Sequence, residues 1–341
     1  MRIMFVGDIN LGEYYTSFGH GPGSYLKHSD VFENVRDLFS QADFVVGNLE
    51  APLTTHNFNP TEPESVVLRG DPKHAATLSD AGFRVLQVAN NHTVQHGKEG
   101  FRETVEFLSS AGVKSVGLNE QAIQTLEIGG ETAGFLAASD VPDNTDKAQG
   151  CYQRLDDAFV ARAAKAVAEV DHLFVLLHWG LESYTSSMAY QKELIKTLSH
   201  SGVRGVIGSH PHLFYEVWIE GQTVAAPSLG NFIFDLCWDK RLLQSGILDV
   251  VVDKGCISTA KVWPVELRHG GCCPSVCGDA VPVGESMNLY DLGKDMSGEQ
   301  SKKLKYFFGN FFRGNCRLKT KFIFRKLATS LITRYRVTTN E

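Results

Sequence analysis

The feature that most limits how this chain can fold is an alternation. Short continuous apolar runs at Arg2–Val6, Phe44–Val46, Arg84–Val88, Phe174–Leu177 and Gly205–Ile207 read as buried strands. Between them, Val31–Ser40, Pro72–Ala81, Gly100–Ala111, Asp156–Glu169 and Ala189–Ser201 carry apolar residues at three- and four-residue spacing, the period of a helix with one buried face. Such an order builds βα units around a largely parallel sheet. Three further segments break the rule. Leu126–Ala138 holds Gly129-Gly130 between two apolar stretches and reads as a hairpin inserted between two halves of the sheet; Phe214–Ile219 with Thr223–Ala226, and Ile247–Val252 with Ile257–Val262, read as two more hairpins. The expected fold is a mixed α/β sandwich flanked by helices, with antiparallel additions.

In open α/β sheets, ligands bind beyond the carboxyl ends of the strands. Here a metal-capable side chain stands just past nearly every expected strand: Asp8, Glu50 in Asn48-Leu49-Glu50, Asn91 in Asn90-Asn91-His92, His178, and the pair His210 and His212 around Pro211. Singly, each has an ordinary explanation, since an Asp caps helices, Asn-Asn makes turns, and a lone His is more often hydrogen-bonded than ligated. Together they form a set of three histidines, two carboxylates and one amide oxygen. That set suits one or two divalent ions, with Zn, Mn and Fe all compatible.

Composition narrows the partners. The net charge of −6 conceals eleven Lys or Arg and one acid within residues 301–341, so that segment carries +10 and the preceding 300 residues −16. An acidic body is not expected to bind nucleic acid, whereas the tail favours anionic surfaces. Phe307, Phe308, Phe311 and Phe312 recur at helical spacing, as do Phe324, Leu327 and Leu331. Two readings of the tail stand: a helix packed on the body, and a peripheral membrane contact through its aromatic and basic residues. The division expected is a body of residues 1–270 and an extension of 271–341. The seven cysteines are odd in number and irregularly spaced, which points to reduced thiols. No secretory leader precedes Arg2–Val6, so a cytoplasmic location is expected, with peripheral attachment as the second reading of the tail.

Six motifs, in order, carry a resemblance: Gly7-Asp8-Ile9-Asn10, Gly47-Asn48-Leu49-Glu50, Ala89-Asn90-Asn91-His92, His178-Trp179-Gly180, Gly208-Ser209-His210-Pro211-His212 and Ser228-Leu229-Gly230-Asn231-Phe232. Over roughly residues 1–265 the chain resembles the bacterial capsule-synthesis CapA family, which is associated with poly-γ-glutamate biosynthesis and is similar in fold to calcineurin-like metallophosphatases. The resemblance implies Asp8 and His212 on one metal, Asn91, His178 and His210 on the other, and Glu50 in the bridging place. It implies that His92 stabilises or protonates a leaving group, and that Asn10, Asn48, Asn90, Ser228 and Asn231 support the ligands or touch substrate. The chain departs from the wider pattern at Asn10, where phosphatases have a ligand His, at Glu50 in place of Asp, and at Gln95 in place of Asp. The implied function is a metal-dependent, phosphoesterase-like hydrolase of capsule or exopolymer biosynthesis. Its substrate would be an anionic polymer or a phosphorylated precursor, with amide hydrolysis as a rival chemistry. The alternative is a weakly catalytic or non-catalytic accessory protein of a polymer synthesis or export complex.

Overall fold

The computed structural model describes residues 1–143, 150–293, 296 and 298–338, the side chains of 329–338 excepted. Along the chain, strands β1 (Arg2–Ile9), β2 (Phe44–Leu49), β3 (Phe83–Gln87) and β4 (Lys114–Val116) come first. They are followed by β5 (Gln124–Ile128), β6 (Glu131–Ser139), β7 (His172–His178), β8 (Gly205–Ser209), β9 (Trp218–Glu220) and β10 (Thr223–Ala226). The last group is β11 (Asn231–Ile233), β12 (Gln244–Asp253), β13 (Cys256–Arg268), β14 (Cys273–Val276) and β15 (Val281–Pro282).

Two sheets result. One runs β14-β13-β12-β1-β2-β3-β4, with β11 beside β1 and β15 beside β13; the other runs β5-β6-β7-β8-β10-β9. The expected α/β sandwich is therefore present, with one correction. The strands before and after the first hairpin are not halves of one sheet: β1–β4 and β7–β8 lie in different sheets, and β6 begins the second by pairing parallel to β7.

Alternation along each strand decides which layer a side chain enters. Ile3 and Phe5 of β1, Phe44 and Val46 of β2 and Val85 of β3 point between the sheets, where they meet Phe135, Phe174, Leu176 and Ile207. Phe5 and Phe174 stand 5.1 Å apart between ring centroids. Met4, Val6 and Val45 face the opposite way, onto Leu78, Phe101 and Leu108 of the helices His74–Asp80 and Gly97–Ser110. On the other flank, Val175 and Leu177 meet Phe159 of Asp157–Ala166 and Ile195 of Ala189–His200. Being covered on both faces, these strands are apolar throughout.

Two expectations fail locally. Only Arg36–Phe39 of Val31–Ser40 is helical. Asp30 accepts a hydrogen bond from Phe32 N at 3.0 Å and pairs with Arg36, which commits the intervening residues to turns. The second hairpin is shorter than expected: Trp218–Glu220 pairs with Thr223–Ala225, whereas Phe214 makes only a bridge to Leu229.

Sheet pairing continues past residue 270, because β14 pairs with β13. Beyond it, helices Glu299–Gly309 and Cys316–Thr338 lie against the body: Phe322 stacks on Tyr15 with centroids 4.4 Å apart, Phe307 is buried, and Arg325 pairs with Glu62 and Glu64. Leu331, Arg334, Arg336 and Glu341 fall outside the residues whose side chains are described. No helix among the described residues is long and apolar enough to cross a membrane.

The tilted Phe5–Phe174 pair between the sheets should be a main source of their cohesion. Phe174→Ala is expected to cost about 3–5 kcal/mol, the usual range for a buried aromatic, read as a fall in the urea midpoint with an unchanged slope. A loss below about 1 kcal/mol would mean that the sheets do not depend on this contact.

Candidate metal centre

Two glycines let the carboxyl ends of the strands converge. A Cβ on Gly7 would lie 1.8 Å from Gly230 O, and one on Gly208 would lie 1.8 Å from Pro227 O. Any side chain there would push β1 and β8 off the segment Pro227–Gly230. With both absent, Asp8 N donates to Gly230 O at 2.9 Å, and Asp8, near the end of β1, faces the ends of β7 and β8.

Around this seam the metal-capable atoms form two groups. Asp8, Glu50 and His212 make one, and Glu50, His178 and His210 the other, with ligand atoms inside each group within 4.8 Å of one another. Glu50 belongs to both. Asn91 Oδ1 lies 2.9 Å from His178 Nε2. His92 Nε2 stands 4.0 Å from Glu50 Oε1, beside the cluster but outside either group. Asp8, Glu50, Asn91, His178, His210 and His212 are all buried.

A second ring of bonds orients these groups. Asn48 Nδ2 donates to Asp8 Oδ1 at 2.8 Å, and Asn90 Nδ2 donates to Asn48 Oδ1 at 3.0 Å. Asn90 Oδ1 in turn accepts from Thr93 N at 2.8 Å, closing the turn that presents Asn91 and His92. His178 Nδ1 meets Ser209 Oγ at 3.0 Å, which leaves Nε2 toward the cluster. Asn231 Oδ1 lies 2.9 Å from His212 Nδ1 while its amide donates to Leu242 O. Such bonds fix ring orientation and tautomer at metal sites. His210 and His212 hold φ of 98° and 61°, a left-handed conformation that costs non-glycine residues about 1–3 kcal/mol. The Asp8 carboxylate, accepting from His210 N at 3.3 Å, is one of the groups that maintain it.

The electrostatics show what the centre lacks. Burial drives the Glu50 carboxyl well above its ordinary range, and Asp8 adds to the effect. Burial also lowers His178 far below the usual imidazole value, and takes His210 down to about 4, with neighbouring histidines adding to both shifts. Only His212 goes the other way: burial opposes its charge, but Glu50 and Asp8 overcome it and raise the ring to about 10. Among the described residues no Lys or Arg pairs with Asp8 or Glu50. Both Glu50 oxygens, His210 Nδ1 and Asn91 Nδ2 are buried without a hydrogen-bond partner. Unpartnered buried polar atoms are costly, and this donor set of carboxylate oxygens, imidazole nitrogens and one amide fits divalent transition metals.

Not every expected residue joins. Asn10 turns away and donates to Asp235 Oδ1 at 3.0 Å while accepting from Gly12 N, and Ser228 Oγ accepts from Gly230 N at 3.3 Å, a bond within its own turn. The sequence reading missed Glu182, on the loop after β7. Desolvation raises its carboxyl, but His212, His210 and His92 together hold it below the ordinary range. Its place on an irregular loop gave the sequence no signal. The same reading missed Ser209 and Asp235 as well; neither is a residue type that the ligand search singled out there, and their partners are visible only in three dimensions.

Residues 2–236 match the family model described as bacterial capsule synthesis protein PGA_cap. The chain belongs to that family. It is 26% identical over 280 residues to the PGA biosynthesis protein CapA of Bacillus subtilis (strain 168), an alignment spanning 79% of this chain and 72% of that one. It is also 26% identical over 281 residues to the capsule biosynthesis protein CapA of Bacillus anthracis, across 74% and 66% of the two chains. A solved structure, a hypothetical protein from Thermus thermophilus, is 19% identical and superimposes with a TM-score of 0.50 over 77% of this chain and 99% of its own. That likeness concerns fold alone. The chain has a two-sheet α/β architecture.

Ion binding should stabilise this centre strongly. An ion present at 100 times its Kd adds about 2.7 kcal/mol, so Mn or Zn is expected to raise Tm and chelator to reverse the rise. Glu50→Gln should abolish the rise while leaving the metal-free Tm no lower than wild type, because the amide removes a buried acid without changing its shape. Retention of the full metal-dependent shift in Glu50→Gln would show that Glu50 does not ligate.

Proposed function

We propose that the chain is a metal-dependent hydrolase of phosphoesterase type, acting in capsule or exopolymer biosynthesis on an anionic polymer or its phosphorylated precursor. The observation that carries this reading is Glu50, buried, shared by two ligand groups and unpartnered at both oxygens. Asp8 and His212 would hold one ion, Asn91, His178 and His210 the other, with Glu50 between them. Divalent ions bound there would supply Lewis acidity and lower the pKa of water toward about 7.

The chain's own groups supply orientation and proton handling. Asn48, Asn90, Ser209 and Asn231 hold the ligands in place through the bonds described above, so little reorganisation is needed when substrate arrives. His92 Nε2 faces the cluster and is largely screened from solvent. Burial lowers its basicity against the pull of Glu182, which keeps it a neutral N–H donor near pH 7. From that position its N–H stabilises charge on the leaving oxygen, and it would pass on a proton only in its imidazolium form, below its lowered pKa. Asn10 donates to Asp235 instead, so an ion there would be held by Asp8 and His212 with Glu50 and without a ligand from position 10.

The outer face of the extension points to a second contact. Leu304, Phe308, Phe312, Phe324 and Leu327 are exposed among the basic residues of 301–341. We infer that this face meets an anionic bilayer surface, to which both aromatic burial and charge attract it. Full-length protein should co-sediment with phosphatidylglycerol-containing vesicles in 0.1 M salt and be released near 1 M, as the Debye length falls from about 10 Å to 3 Å. Phe308→Ser with Phe312→Ser should weaken the association. Equal recovery with neutral vesicles, or none at low salt, would exclude attachment.

The hydrolase reading is tested by turnover of p-nitrophenyl phosphate, bis(p-nitrophenyl) phosphate and a γ-glutamyl oligomer by Mn-loaded protein. His92→Ala should lower kcat by about 10²–10⁴ with metal content unchanged. Turnover of the oligomer alone would replace phosphoester by amide chemistry, and turnover of none would leave the accessory reading.

A further inference from the structure

We propose that the C-terminal extension completes the site with an anion-binding subsite on Lys303, which takes a second phosphate, phosphonate or carboxylate group of a substrate whose first sits at the metal cluster. The proposal rests on the cluster holding metal and binding an anion there, as the hydrolase reading requires.

Helix Glu299–Gly309 is fastened across the mouth by its first turn. Glu299 Oε1 accepts from Ser183 Oγ at 2.9 Å and from Trp238 Nε1 at 3.2 Å, and Lys302 Nζ donates to Asp239 Oδ2 at 2.6 Å. Ser183 lies on the loop leaving His178, and Trp238 and Asp239 on the segment leaving Asn231. The helix therefore spans the two stretches that run out from the ligands.

Lys303 follows at once. Its Nζ lies 4.6 Å from the ring centroid of Trp238, 4.8 Å from Tyr14 and 5.1 Å from Tyr15, and it donates to Tyr14 Oη at 3.0 Å. Three aromatic faces hold an ammonium in place without neutralising it. Other basic residues of the extension are paired: Lys302 with Asp239, Lys321 and Arg325 with Glu62. Among the described residues no carboxylate lies within 4 Å of Lys303. With three donors and one spent on Tyr14, the ammonium keeps two N–H groups for an incoming oxyanion.

Its location ties it to the cluster. Phe234, the neighbour of Asp235, sets its ring 5.0 Å from that of His212, and Trp238 follows three residues after Asp235. The caged ammonium therefore lies against the same segment that packs against His212. Tyr14 is itself fixed, its backbone N–H donating to Asp235 Oδ2 at 2.7 Å, the carboxylate that also receives Asn10. This gives Asn10 and Asp235 a task away from the metals: they hold the wall of the cage.

The test uses non-hydrolysable probes, so it does not depend on turnover. Calorimetry on full-length, Mn-loaded protein compares methylphosphonate, which has one anionic group, with phosphonoacetate and methylenediphosphonate, which add a carboxylate and a second phosphonate. Wild type should bind at least one two-headed probe about tenfold more tightly than methylphosphonate, the scale of one charge-assisted hydrogen bond. Which probe gains identifies the second group. Lys303→Met should erase that gain and leave methylphosphonate unchanged. Lys303→Arg should keep most of it, and Lys305→Met, altering an exposed residue of the same helix, should keep all of it. Equal binding of all three probes by wild type, or an undiminished gain in Lys303→Met, would overturn the subsite. If no ester or amide is turned over but the Lys303-dependent gain persists, the hydrolase reading falls and the subsite stands.

Discussion

Two acids without a Lys or Arg partner among the described residues, buried where two sheets meet, set the terms for the rest of this structure. Asp8 and Glu50 bring negative charge into an interior that hydrates neither. Isolated buried carboxylates cost far more than a domain can spare unless they are neutralised, paired or bound to a cation. Without metal the chain has one remedy in place, a His212 ring raised to about 10 and lodged between both acids. One imidazolium offsets one carboxylate at most. Glu50 is left to hold a proton at an elevated pKa, its oxygens unpartnered. The left-handed His210 and His212, the glycines that let strands touch, and the asparagines that clamp these side chains all maintain an arrangement that is costly in the protein alone and whose donor set would suit divalent cations. Sites with that character are where function is stored.

Much of this was legible in the sequence because the rule connecting strand ends to ligand sites is local. Asp8, Glu50, Asn91, His178, His210 and His212 each sit next to an apolar run, so periodicity alone locates them, and convergence of strand ends brings them together. The division into two sheets was not legible in the same way. Strands β1–β4 and β7–β8 carry the same apolar composition, and only pairing partners tell one sheet from two. Asn10 illustrates a different limit. The resemblance put it near the ligands, but β1 ends at Ile9, and beyond that end Asn10 turns to Asp235, far along the chain. Glu182 was missed for the converse reason: it sits on an irregular loop, where spacing carries no directional information.

The extension shows why a charge count does not predict placement. Its +10 charge suggested attraction to anionic surfaces, yet several of its cations are spent on particular carboxylates of the body, and Lys319 is buried among the carbonyls of Asn310 and Arg313. Phe307, Leu318 and Phe322 supply an apolar inner face, while Phe308, Phe312 and Phe324 make an outer one. The packed and the membrane-facing readings of the tail are therefore not exclusive. One helix pair has a face for each.

The placement of these parts along the chain separates chemistry from choice of substrate. The family match ends at residue 236, after Asn231 has closed the ring of groups around the metals. Trp238, Asp239, Glu299, Lys302 and Lys303 all come later, and they make the mouth. That later stretch reaches the cluster through Ser183, which Glu299 binds, and through Tyr14 and Asp235, and it contributes none of the buried acids. A cluster costly to rearrange is thereby joined to a rim that is cheap to vary. Helix 299–309 is fastened by a few polar contacts and one caged cation, whereas the ligands are held by two sheets.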